Sequence, residues 1–340
     1  MFLINGRFMA HRPTGMQRYA MEICRRFQSN PRVVHPDKPL KGMLGHAWEQ
    51  AILPRGVENG LLWSPCNTGP LSARRHIVTI HDLIPLEHPE WFGTRFSLLY
   101  RLLIPTLVRR ATHLAAVSEF TKSRLVRLLG VDESRVTVIP NGIGEEFAPQ
   151  PEAEILRVRR TLRIPEGPYL LSLCSLEPRK NLARLIEAWK HLGDDRAGST
   201  LVIAGGRGSA SVFRNVDLES RPDRVLFTGY VTDSDLPALY SGARAFVYPS
   251  LYEGFGLPVL EALACGTRVI ASNSTSIPEI AGGHATLINP LSIEEVAQAM
   301  RAALSYPPQP TEQAARQEHA RGFTWRQCAS RTERLLLSYC

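Results

Sequence analysis

The stretch Tyr248-Pro249-Ser250-Leu251-Tyr252-Glu253-Gly254-Phe255-Gly256-Leu257-Pro258-Val259-Leu260-Glu261-Ala262 sets two carboxylates eight positions apart around a glycine-rich turn. The apolar run 245–248 reads as a buried strand, and Pro258 suits the first turn of a helix, where its missing N–H has no partner to lose. Glu253 therefore falls on the loop after the strand, and Glu261 falls about two turns further on, near the same face. The amides of Gly256 and Leu257, beside Phe255, point out of the helix end, where an anion is held. The plainer reading is that the glycines and Pro258 only turn the chain, with both glutamates solvated.

Strand–helix alternation continues on both sides. Before residue 165, Phe2–Ile4, Leu61–Trp63, Ile77–Ile80, Leu114–Val117 and Val136–Ile139 read as strands, and Gln17–Gln28 and Phe96–Arg110 have helical spacing, with Pro105 weakening the second as one helix. After it, Tyr169–Leu173, Thr200–Ile203, Val225–Phe227, Ala245–Tyr248, Arg268–Ala271 and Ala285–Ile288 read as strands, and Leu182–His191, Asp235–Ser241, Pro258–Ala264 and Ile293–Leu304 as helices. This is an α/β chain of two doubly wound parallel sheets, with ligands expected at the carboxyl ends of the strands. The segment Arg163-Ile164-Pro165-Glu166-Gly167-Pro168 reads as a linker. It gives an N-terminal domain 1–165, a C-terminal domain 166–322 and a tail helix in 323–340.

The chain has 340 residues, comfortable for two cores. No run approaches the roughly 18 apolar residues of a membrane-crossing helix, and the start Met1-Phe2-Leu3-Ile4-Asn5-Gly6-Arg7 reads as a strand rather than a secretory signal. Six dispersed cysteines without a C-x-x-C pair fit reduced thiols in a cytoplasmic protein. The net charge of +8 is uneven. Residues 1–165 carry 23 Lys and Arg against 14 Asp and Glu, whereas the remainder carries 17 against 18. A basic N-terminal half suits an acidic substrate or peripheral contact with an anionic membrane face. Nucleic acid is set aside, since no recognition motif for it is present. The 96–110 stretch, with Arg95, Arg101, Arg109 and Arg110 among bulky apolar residues, reads equally as a basic helix lying on a bilayer or as a core helix with a wet basic side.

Further segments carry candidate chemistry. Glu177-Pro178-Arg179-Lys180-Asn181 follows a strand and opens a helix, an unfavourable place for two cations unless an anion binds there. His81 and Asp82 end the Ile77–Ile80 strand. A histidine there either bonds a ligand hydroxyl or is a buried ring satisfied by a carbonyl. Gly15, in Pro13-Thr14-Gly15, permits close approach of backbone to a ligand, although no G-x-G-x-x-G is present. Gly205, with Gly206, and Tyr230 and Val231, after Phe227-Thr228-Gly229, end two further strands. Asn141-Gly142 suits a left-handed turn, and Ser118 suits a helix N-cap.

Taken in order, these segments resemble the retaining glycosyltransferases of family 4 (glycosyl transferases group 1), which have the GT-B fold of two Rossmann-like domains facing a cleft. The resemblance covers nearly the whole chain. It implies that Glu253 and His81 meet the donor sugar, that Arg179 and Lys180 meet the diphosphate, and that Glu261 meets the ribose. It places Gly15, Gly205, Tyr230, Val231, Phe255, Gly256 and Leu257 around donor and nucleotide, with Asp82 toward the acceptor. Many members carry Arg where Ser175 stands, and the Glu-Pro-Arg-Lys-Asn variant resembles bacterial polysaccharide mannosyltransferases. The expectation is a hexosyltransferase moving mannose from GDP-mannose to a saccharide acceptor, itself expected to be lipid-diphosphate-linked, in exopolysaccharide or O-antigen synthesis. A tail helix crossing back to the N-terminal domain is also implied. No D-x-D is present and the basic pair substitutes for a metal, so no metal and no cofactor beyond the nucleotide-sugar are expected. The alternatives are a nucleotide-sugar epimerase of the same fold, which needs no acceptor, and a non-enzymatic membrane-binding protein, which explains the charge but not the carboxylates.

Overall fold

A computed structural model of the chain describes residues 2–10, 15–40, 42–57, 60–174, 177–196, 198–205 and 223–340. The chain forms two units. The first comprises Met1–Gly142 and Phe323–Cys340, the second Ile143–Gly322.

The first unit is built on six strands: β1 (Phe2–Asn5), β2 (Arg32–Val34), β3 (Leu61–Ser64), β4 (His76–Ile80), β5 (His113–Ala116) and β6 (Val136–Val138). All pair in parallel, in the order β2-β1-β3-β4-β5-β6. Central strands of a parallel sheet are covered on both faces, so they read as unbroken apolar runs. β3 and β4 are buried at every position. β2 escaped the sequence reading because it is a three-residue edge strand, exposed or half-buried throughout. The Thr94–Arg110 helix runs unbroken through Pro105. Ser118 caps the Glu119–Leu129 helix by accepting from the Thr121 amide.

The second unit holds β7 (Tyr169–Leu173), β8 (Thr200–Ala204), β9 (Val225–Gly229), β10 (Ala245–Tyr248), β11 (Val269–Ser272) and β12 (Thr286–Ile288), also parallel, in the order β12-β11-β10-β7-β8-β9. Its core joins the amphipathic helix Leu182–His191, with Trp189 fully buried, to Leu170, Leu201, Val247 and Met300.

Two details differ from the sequence reading. The division falls at Gly142/Ile143, not within 163–168. The reason is the Glu152–Thr161 helix, which packs on Leu236–Ser241 of the second unit, so the Pro-Gly segment after it is a loop inside that unit. Asn141 and Gly142 do not adopt positive φ. Gly142 is required by close approach instead, since a Cβ there would lie 2.1 Å from the Trp325 amide nitrogen. That contact seats the tail. The Trp325–Leu337 helix packs on Gly15–Cys24, and Glu333 accepts from the Gln28 and Ser29 amides at 3.1 and 2.7 Å.

Candidate active site

In a doubly wound sheet the crevice for ligands opens where strand order reverses. In the second unit that point lies between β7 and β10, the first strand and its neighbour on the other side. The loop after β7 carries Arg179 and Lys180, and the loop after β10 carries Glu253. The structure brings these three side chains together. The Glu253 carboxylate accepts from Arg179 at 2.7 Å, from Lys180 at 2.8 Å, from the Tyr248 hydroxyl at 2.8 Å and from Ser250 at 2.5 Å. Burial alone would raise the Glu253 pKa. Arg179 and Lys180 outweigh burial and hold it at about 2, so the group is a carboxylate. Burial pulls the Lys180 pKa down, and the Glu253 carboxylate opposes that shift. Lys180 also lies over the Tyr248 ring, 4.6 Å from its centroid, and donates to its hydroxyl.

The backbone beneath is tied in place. Asn181, at φ 57°, donates to the Pro249 and Pro290 carbonyls at 3.1 and 2.6 Å, joining the loops after β7, β10 and β12. The Arg179 carbonyl accepts from the Leu251 amide at 2.7 Å and from Ser250 at 3.1 Å. The basic pair therefore sits in a rigid one-turn 3-10 helix, Pro178–Lys180, before the longer helix begins. On the open side, the half-exposed Glu177 pairs with Arg179.

Beside this cluster the Leu257–Ala264 helix starts at Gly256, whose φ of 98° favours glycine and whose absent Cβ would meet Ile277 at 2.6 Å. The first amides of a helix have no acceptor inside it, so the Leu257 N–H is available at this end. Ser276 donates to the Glu253 and Phe255 carbonyls, fixing the preceding turn. Glu261, one helix turn before the C-terminus, is buried and accepts from Tyr240 at 3.0 Å, so the two glutamates sit in different networks. Gly205 ends β8 at φ 146°, where a Cβ would lie 2.2 Å from the Cys174 carbonyl oxygen. Its glycine character is thus set by the neighbouring strand end. Tyr230 is largely exposed just past β9 and Val231 is buried. Ser175 and Gly206 lie outside the described residues.

In the first unit, His81 is buried and bonds the Pro65 carbonyl through Nε2 at 2.8 Å, so Nε2 carries the hydrogen and Nδ1 is left as an acceptor. Burial, partly opposed by that bond, lowers its pKa to about 4, and the ring is neutral at pH 7. Asn67, at φ 58°, accepts from the His81 amide at 2.6 Å. Asp82 accepts from the Ile84 amide at 3.2 Å, a local turn contact. Gly15 is exposed at the start of its helix; Pro13 and Thr14 lie outside the described residues.

Sequence reasoning missed a second ionic group. At the strand reversal of this unit, between β1 and β3, Glu49 accepts from Asn5 at 2.7 Å, Arg7 at 3.0 Å and Thr68 at 3.1 Å, with His46 alongside. Its carboxyl is fully buried. Burial would raise its pKa, but the hydrogen bond to His46 and the Arg7 charge prevail and lower it. The residues come from three separated segments, so no local motif announces them. Among the described residues, no group of three His, Cys, Asp or Glu is placed to hold a metal ion, no helix is long and apolar enough to cross a membrane, and all six cysteines are unpaired.

Residues 156–321 match the model of glycosyl transferases group 1, and residues 60–147 match that of glycosyltransferase family 4. An O-antigen chain mannosyltransferase B of Escherichia coli is 31% identical over 294 residues, covering 84% of this chain and 76% of that protein. A glycogen synthase of Mycobacterium tuberculosis is 33% identical over 271 residues, covering 77% of this chain and 63% of that protein. Among solved structures, HepE of Anabaena, crystallised with UDP and glucose, superposes with a TM-score of 0.76 at 19% identity, with 99% of each chain covered. Its likeness is one of fold, two parallel six-stranded sheets each flanked by helices. The chain belongs to the group 1 glycosyl transferases of family 4, with the GT-B fold.

Proposed function

We propose that the chain is a retaining hexosyltransferase that uses GDP-mannose to extend a saccharide in O-antigen or exopolysaccharide synthesis. The observation that carries this reading is the Arg179–Lys180–Glu253 cluster at the β7/β10 reversal, two cations and a carboxylate fixed where a ligand enters. The guanidinium and ammonium bind the donor diphosphate, which takes the place of the half-exposed Glu177 on Arg179. The amides at Gly256 and Leu257, beside Phe255, add a dipolar contact. Glu253 positions both cations and meets sugar hydroxyls, as does His81 through Nδ1. Glu261 meets the ribose, Gly205, Tyr230 and Val231 surround the base, and Gly15 borders the donor. Asp82 serves the acceptor.

In the reaction the bond from the anomeric carbon to the phosphate oxygen breaks as the bond to the acceptor oxygen forms on the same face. The acceptor's proton passes to the departing diphosphate. Arg179 and Lys180 stabilise the charge that develops there, so no metal is required. Mannose is favoured by the variant Glu-Pro-Arg-Lys-Asn and by the O-antigen mannosyltransferase relative. Product analysis with GDP-mannose, UDP-glucose and UDP-N-acetylglucosamine in EDTA tests this, with the anomeric configuration read by NMR. Transfer from UDP donors alone, an inverted product, or a requirement for added metal refutes the corresponding clause. Epimerised donor without acceptor would favour the epimerase alternative.

The acceptor is proposed to be lipid-linked and reached at an anionic membrane face. Counted by structural unit, the first carries 22 Lys and Arg against 11 Asp and Glu, and the second 18 against 21. In the first unit the Thr94–Arg110 helix exposes Leu98 and Leu102 beside Arg95 and Arg101, and Met43 and Leu44 are exposed on the Gly42–Ala51 helix, which touches it through His46 and Tyr100. Apolar side chains ringed by arginine suit insertion into an anionic interface. Sedimentation with phosphatidylglycerol vesicles tests it. Binding that persists unchanged in Leu98→Glu/Leu102→Glu protein rejects this helix as the contact.

A further inference from the structure

The second unit contains a cavity of about 480 Å³ that the transferase reading does not use. It opens at the amino ends of β11 and β12, where Arg268 precedes β11 and Thr286 begins β12. Glu253 follows the carboxyl end of β10, so the cavity lies at the opposite edge of the sheet. A four-residue strand, roughly 13 Å, separates the two edges.

The cavity has a charged base. The Arg268 and Arg316 side chains are only 16% and 8% exposed. One carboxylate serves both: Glu312 lies 2.7 Å from Arg316 and 3.7 Å from Arg268, and its own side chain is half exposed. Each guanidinium also caps a helix end. Arg268 donates to the Tyr306 carbonyl at 2.8 Å, and Arg316 to the Gly266 carbonyl at 3.2 Å. These contacts hold the two forks in place without neutralising them. Burial is the main force pushing the Arg316 pKa down; Glu312 opposes it, and the nearby Arg268 charge adds a smaller push in the same direction. His284 on the wall has its pKa lowered, chiefly by burial and then by His319 and Arg316. The opposite wall is Ala299, Ala302 and Ala303 on one face of the Ile293–Ser305 helix, and the exposed Tyr306 ring stands beside it.

We infer that this cavity is a second ligand site, taking a small phosphate-bearing molecule whose phosphate displaces Glu312 from Arg268 and Arg316. Arginine pairs are the preferred partners of phosphate because each fork binds two oxygens. A volume of this size accommodates a small-molecule ligand rather than a lone ion, and the alanine wall with Tyr306 receives a sugar-sized body. The site also touches the donor side mechanically. Arg316 bonds the carbonyl of Gly266, two residues beyond the Leu257–Ala264 helix whose other end is Gly256, and the Pro310–Arg321 helix packs along that same helix.

The inference does not depend on the transferase reading. The test is isothermal titration of the full chain carrying Arg179→Gln, which weakens phosphate binding at the donor cluster, with inorganic phosphate and with mannose 6-phosphate. Binding of mannose 6-phosphate is expected. Adding Arg268→Gln should weaken it by about tenfold or more, as expected for loss of a charged hydrogen-bond donor. Adding Glu312→Gln should strengthen it on the order of fivefold, since the internal competitor is gone. Arg268→Gln also removes a helix cap, so if it fails to fold, Glu312→Gln decides alone. No binding of either compound, or affinity unchanged or weakened by Glu312→Gln, overturns the inference.

Discussion

Replacing Glu253 by Gln should destabilise the free protein and at the same time strengthen its grip on a diphosphate. The carboxyl's pKa falls from 4.5 to about 2 in the fold. At about 1.36 kcal/mol per unit, that is roughly 3 kcal/mol of favourable charge interaction at neutral pH. The figure agrees with the roughly 3–5 kcal/mol lost when one partner of a buried ion pair is removed. The variant leaves Arg179 and Lys180 facing each other without the group that separates them. A bound diphosphate restores the missing negative charge. Urea unfolding with and without GDP reads both effects. The variant should lose about 3 kcal/mol without ligand, and saturating GDP should raise its midpoint more than it raises that of the parent protein. Transfer should be abolished, because the amide no longer holds the cations in register. Full stability without ligand, or a smaller GDP-induced shift than in the parent, would refute the view that Glu253 is the internal counter-charge of this site.

Tyr248→Phe removes one donor to Glu253 and the hydroxyl that Lys180 contacts. About 1–2 kcal/mol of stability should be lost, with a fall in kcat larger than any rise in donor KM; unchanged kinetics would exclude a positioning role. Gly205→Ala places a Cβ against the Cys174 carbonyl at positive φ. A cost of at least about 2 kcal/mol is expected, together with weaker nucleotide binding by titration, and a neutral variant would show that the strand ends yield. Acid should weaken the first unit before the cluster is protonated. His76 and His81 both have folded pKa values of about 4, below the ordinary 6.5, because burial disfavours the charged ring. The unfolded chain therefore binds more protons between pH 6.5 and 4, and stability declines as pH falls through that window, by about 2 kcal/mol per histidine at pH 5. Glu253 is depressed instead from 4.5 to about 2, so its contribution fades only below pH 4.5. Urea midpoints that stay level from pH 7.5 to 5 would contradict neutral buried histidines.

The sequence alone determined the alternation of strands and helices, because parallel strands buried on both faces leave continuous apolar runs and amphipathic helices leave a 3.6-residue period. It marked the Leu257–Ala264 helix by Gly256 and Pro258, and it placed Arg179, Lys180 and Glu253 at loop positions after β7 and β10. Family resemblance, rather than spacing, separated these residues from ordinary turns and solvated charges. It could not show that β7 and β10 are neighbours, since strands far apart in sequence become adjacent only when the sheet assembles. That adjacency makes one network of Arg179, Lys180 and Glu253, and it separates Glu261, which lies on the same short segment but turns to Tyr240. The Arg7–Glu49–Thr68 group and the Arg268–Glu312–Arg316 cavity were invisible for the same reason. Each is assembled from segments tens of residues apart, and a lone arginine or glutamate in a sequence looks like solvated surface until the fold buries it beside its partner.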